Sequence, residues 1–180
     1  MPRTPSNTLV QTASTPNART IFPQSDISIV PFPPDNPSMA FISTSFIVPR
    51  RPTSSQIYSI PQGFEQQAKL AFSNLETALA LGGAKPRDVT KLTVSLAQDC
   101  KKQETTIQLR DAMTRFFTDS RGRRHSPAVA VFNHQYIHDG FAKIQVQAEA
   151  VVRVSAPEPE LDPGQDGGEL ARLPTYDEIW

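Results

Sequence analysis

Apolar positions along this chain follow two periods, and the switches between them mark the elements. From Met39 to Val48, MAFISTSFIV is rich in β-branched and aromatic residues and ends at Pro-Arg-Arg-Pro, where prolines stop strand pairing. The spacing then becomes helical: Phe64, Ala68, Ala71, Leu75 and Ala78 fall on one face, which Phe72 and Leu79 widen. Gly82 and Gly83 supply a left-handed stop, and AKPRD a turn. Alternation returns in DVTKLTVSLAQ, with Leu92, Val94 and Leu96 on one side and Thr93, Ser95 and Ala97 on the other. A second helix is predicted from Glu104 to Thr118, burying Leu109, Ala112, Met113, Phe116 and Phe117. The basic loop RGRRH leads to a strand in SPAVAVFN, a connection HQYIHDG with an Asp139-Gly140 turn signal, and a last strand, KIQVQAEAVV.

This order predicts an α+β domain: a mixed, mostly antiparallel sheet with two long helices on one face. The helices can cover only that face, so the other, small and polar, is expected to meet further copies of the chain. The last strand states the problem most sharply. Ile144, Val146, Ala148, Ala150 and Val152 share one side, and Gln145, Gln147 and Glu149 the other. Two amides and a carboxylate in a row form either a solvated face or the wall of a site.

Composition narrows the partners. Eighteen basic residues balance eighteen acidic ones, so no basic excess points to nucleic acid. One cysteine, Cys100, excludes an internal disulfide and a cysteine-based zinc site and suits a reducing compartment. No apolar run approaches the roughly 20 residues that span a bilayer. A soluble, cytoplasmic protein without cofactor is expected. Residues 1–25, rich in Thr, Ser and Pro and with Arg3 and Arg19 but no acid before Asp26, are expected to be disordered, with mitochondrial import the minor alternative. Residues 26–154 form the domain, and 155–180, acidic and punctuated by Pro and Gly, a flexible tail ending in LPTYDEIW, a candidate docking peptide.

The order of elements and several strings resemble the Rid family, also called YjgF or RutC-like proteins: FISTSFIV, FEQQAKLAFSNLETALALGGAKPRDVTKLTVSLAQD, FFTD, SPAVAVF and KIQVQAEAVV, spanning Ala40 to Val152. The resemblance implies a chorismate-mutase-like (YjgF) fold and a homotrimer with helices outside and ligand clefts between subunits. It also implies hydrolysis of reactive imines and enamines to a keto acid and ammonia. In the family an Arg directly after a Pro-Ala pair seats the substrate carboxylate, and a Glu early on the last strand handles water and proton. The matching positions here are Val129 and Gln145, while the family's glycine-containing segment after the first strand reads Thr44-Ser45-Phe46. Val129 cannot bind a carboxylate, and Gln145 can orient water but not accept its proton.

Replacement groups are sought nearby. Glu149 is the first candidate for proton transfer, with a structural salt bridge as its alternative, and His134 the second. Val129, Gln145, Gln147, Phe46, Tyr136 and Arg124 are the expected substrate contacts. His134 and His138 lack an apparent third ligand, so no metal site is expected. Cys100 as a nucleophile would need a lowered pKa and a base. The functional expectation is a Rid-like enzyme acting on a reactive imine, enamine or related intermediate, by hydrolysis or by a recruited tautomerisation or cyclisation step. The alternative is a non-catalytic small-molecule-binding or regulatory trimer. Some relatives carry an endoribonuclease assignment, which neutral charge disfavours.

Overall fold

A computed structural model describes residues 11–13, 27–32, 38–51, 59–100, 102–135, 137 and 141–153. The acidic tail, nearly all of 1–25, Tyr136 and His138 lie outside the described residues. Strands β1 (Gln11–Ala13), β2 (Ile27–Phe32) and β3 (Met39–Thr44) precede helix α1 (Phe64–Leu81). Then come β4 (Val89–Ala97), α2 (Gln103–Phe116), β5 (Ala128–His134) and β6 (Ile144–Arg153). They build one six-stranded sheet in the order β1-β2-β3-β6-β4-β5, antiparallel except for the β4–β5 pair. Parallel neighbours need a long crossover, and α2 supplies it. β5 and β6 are consecutive in sequence yet separated by β4.

This is the expected α+β fold with additions. Hydrophobic patterning gave no strand at β1 or β2, and the first predicted strand ends at Thr44 rather than Val48. Ser43 lies opposite Glu149, but Ile47 bridges Val146, so four steps on one strand match three on the other. One extra residue is accommodated as in a β-bulge. The Thr44 hydroxyl accepts the freed Ala148 N–H at 2.9 Å, and the Gln147 amide donates to the Thr44 carbonyl at 3.0 Å.

The core lies between the sheet and α1. Ile27, Ile42, Leu92, Val94, Ile144 and Val146 from the sheet meet Ala68, Ala71, Leu75 and Leu79 from the helix, all fully buried. α2 packs on the outer part of α1, with the Phe72 and Phe116 ring centroids 5.1 Å apart and Phe117 edge-on to Phe116. The glycine pair that ends α1 divides its work. Gly83 takes the left-handed conformation (φ 73°), whereas a Cβ on Gly82 would stand 2.7 Å from Ile27 Cδ1 and 2.9 Å from Ile42 Cδ1. Gly82 is therefore where the helix end meets β2 and β3 most closely.

Gln67 is the polar group on which this packing turns. Only 1% exposed, it donates to the carbonyls of Pro61 (2.6 Å) and Phe141 (3.2 Å) and accepts from the Lys143 N–H (2.7 Å). It ties the start of α1 to the chain entering β6. Gln67→Met leaves those three backbone groups without this partner and is expected to cost about 3 kcal/mol, at ~1–3 kcal/mol per buried unsatisfied group; an unchanged urea midpoint would contradict this. Gly82→Ala should cost about 1–3 kcal/mol by overpacking, read by the same titration.

Candidate functional site

Pairing registers decide which side of the sheet each candidate occupies. Leu92, Val94 and Leu96 on β4 oppose Ala148, Val146 and Ile144 on β6, and all of these are buried on the helix side. The intervening pairs, Lys91 with Glu149, Thr93 with Gln147 and Ser95 with Gln145, face away from the helices. The amide-and-carboxylate row of β6 thus stands on the uncovered face beside a matching small polar row of β4.

Two of its three members have partners. Glu149 Oε1 forms a 3.0 Å ion pair with Lys91 Nζ across the strands, and Gln147 is bonded to Thr44 as above. Gln145 has no side-chain hydrogen bond among the described residues. Opposite it, Ser95 is 1% exposed and its hydroxyl finds no partner among the described residues. A buried unpaired hydroxyl is uncommon, and here it adjoins the one amide of the row that is also uncommitted. Phe46, 47% exposed, comes just before Ile47, whose side chain is buried, and so projects beside Gln147 on the same open face. Phe132, 52% exposed, pairs with Ser95 from the other side. The open face therefore has an uncharged polar centre with exposed phenyl rings around it.

The other candidates do not gather there. Val129 pairs with Leu92 in parallel register and so points to the helix side, where it is 42% exposed because no helix reaches the edge strand. Within one chain it is on the opposite side of the sheet from Gln145. His134 pairs with Ala97, six residues along β4 from Lys91, which places it about 20 Å along the strand from Glu149. One chain therefore does not bring the two proposed proton-transfer groups together.

The basic loop is internally organised. Asp119 Oδ1 accepts from the N–H groups of Arg121 and Arg123, both at 2.9 Å, and Oδ2 pairs with Arg123 Nε at 2.8 Å. The Arg123 N–H bond, followed by its guanidinium, holds the Asp119 carboxyl below its usual range. Arg123 is thereby committed to its own loop, while exposed Arg124 makes no ion pair among the described residues. His125, which sequence gave no role, places Nε2 2.6 Å from the Val89 carbonyl and its ring edge-on to Phe117, anchoring the loop to the start of β4. Cys100 is buried, and burial, with the Asp99 charge second, pushes its thiol up to about 11, the wrong direction for a nucleophile. Among the described residues no three His, Cys, Asp or Glu side chains gather as metal ligands.

Neither a family model nor a curated protein matches the chain. Solved structures do. The YjgF gene product of E. coli is 23% identical, with a TM-score of 0.59 over 79% of this chain and 99% of its own. E. coli TdcF, solved with bound serine, is 20% identical, with a TM-score of 0.56 over 80% of this chain and 98% of its own. YyfA of the Rid family from Yersinia pestis is 17% identical, with a TM-score of 0.60 over 80% of this chain and 100% of its own. With sheet, crossover and helices all shared across nearly the full length of those proteins, the chain has the fold of the YjgF and Rid structures.

Proposed function

We propose that this chain is a Rid-like protein that acts on a neutral or weakly polar imine, enamine or related reactive intermediate, in crevices formed where three copies meet, with the helix-side edge of β5 and Val129 of one copy facing Gln145 on the open face of the next. The observation that carries this reading is Val129. At the position where the family places its carboxylate-binding guanidinium stands an exposed isopropyl group, followed on the same strand by exposed Val131 and Phe132. A carboxylate brought to such a surface loses water and gains no cation, a cost of several kcal/mol. An uncharged ligand meets no such penalty. TdcF, whose structure holds serine, shows that this fold accommodates a small polar molecule; the substitution here favours a less anionic one.

In the hydrolytic reading, water adds to the carbon of C=N, the C–N bond breaks, and ammonia leaves a carbonyl product. Gln145, partly exposed beside buried Ser95, supplies an amide able to hold the water. Proton transfer falls to His134 of a neighbouring copy or to the substrate's own nitrogen. A second reading, a binding trimer without turnover, draws on the Glu149–Lys91 ion pair and the Gln147–Thr44 bond, which occupy the other polar groups of the row.

Imines released in the assay by oxidation of an amino acid and of its methyl ester separate these readings. Ammonia release from the ester-derived imine should be accelerated and that from the anionic imine left near background. Val129→Arg should raise the anionic rate tenfold or more, in line with ~1.5–3 kcal/mol for a hydrogen bond to a charged group. Equal rates with and without protein for both imines would remove the enzymatic reading. Wild-type preference for the anionic imine would remove the neutral-ligand reading.

A further inference from the structure

Where β4 runs into the short turn Gln98–Cys100, a cavity of about 450 Å³ opens between that turn and Gln135, Ile137 and Lys143. Its volume falls within the ~300–1,000 Å³ of small-ligand pockets. Ala97, Ile137 and Ala142 provide apolar lining, Gln98 and Gln135 two amides, and Asp99 and Lys143 one charge of each sign. Lys143 Nζ stands 3.4 Å from Asp99 Oδ2.

Both charged residues are braced by groups set in the core. The Lys143 N–H is held by buried Gln67 at 2.7 Å, and its carbonyl accepts from the Ala97 N–H at 3.0 Å. The buried Cys100 sulfur lies 3.5 Å from Asp99 Oδ1 and 3.7 Å from the Lys143 carbonyl, so its S–H can donate to either. With its pKa pushed up to about 11, the thiol keeps that proton at neutral pH.

We propose that this cavity binds a small zwitterion with ammonium and carboxylate on one carbon, an α-amino acid with an apolar side chain. The ligand's two charges lie antiparallel to the Asp99–Lys143 pair, ammonium on Asp99 and carboxylate on Lys143, closing a ring of four alternating charges. A simple anion would meet Asp99 and a simple cation Lys143, so the adjacent pair selects for a molecule carrying both signs. The side chain then lies on Ala97, Ile137 and Ala142. This site is distinct from the Val129 position, which pairs with β4 at Leu92, five residues before Ala97.

The test is titration of the full chain with L-leucine, followed through the methyl NMR signals of Ile137, Ala97 and Ala142. Saturable shifts are expected, with affinity at least tenfold weaker in Lys143→Met and in Asp99→Asn. Leucinamide, lacking the carboxylate, and 4-methylpentanoate, lacking the ammonium, should each bind at least tenfold more weakly than leucine. In Val129→Arg the affinity read at the Ile137, Ala97 and Ala142 methyls should equal that of the wild type, whatever carboxylate the new guanidinium binds elsewhere, so the outcome is independent of the imine assays. Absence of saturable shifts would overturn the assignment, as would unchanged affinity in both charge variants. Loss of binding in Val129→Arg but not in Lys143→Met would overturn it too, by placing the ligand in the other crevice.

Discussion

The two-sidedness of β6 is the constraint on which the rest of this structure depends. Ile144, Val146, Ala148 and Ala150 are buried beneath α1, and with a period of two the residues between them have to face the other way. A slip of one position would send the amides into the core, so burial fixes the register. The register in turn sets Gln145 against Ser95, Gln147 against Thr93 and Glu149 against Lys91. The composition of the open face is thus a consequence of how the covered face packs.

The charged pair on that face is already neutralised within the chain, Lys91 taking Glu149. What remains uncommitted on that face, among the described residues, is the Gln145 amide beside exposed Phe46 and Phe132, with the buried Ser95 hydroxyl beneath them, while Val129 and Val131 are exposed on the helix side of β5. Such a surface is better suited to orienting a neutral molecule than to holding an anion or exchanging protons rapidly. Pocket chemistry follows from this: in uncharged surroundings the binding free energy comes from apolar contact and a few directed hydrogen bonds.

Periodic segments were legible in the sequence. α1, α2, β4 and β6 announce themselves because each buries one continuous face, and periodicity records burial. β2 did not, since ISIVPF carries a proline; Pro31 lies beyond the residues that β1 pairs, so its missing N–H is not needed there. The end of β3 was hidden because MAFISTSFIV reads as one apolar run, while its irregularity is fixed by bonds from Thr44 to Gln147 and Ala148, over 100 residues away. Candidate positions were legible as residues but not as a constellation. Which side Val129 takes depends on its parallel register with Leu92, and Glu149 becomes an ion-pair partner only through Lys91, 58 residues earlier.

The sharpest test of an uncharged binding surface compares two ligands that differ in one charge. Calorimetric titration with methyl pyruvate and with pyruvate isolates the carboxylate, since the two share the same ketone. Binding of the ester at least tenfold tighter is the predicted result. Tighter binding of pyruvate would mean that a cation fills the place left by the guanidinium, and would contradict the central claim.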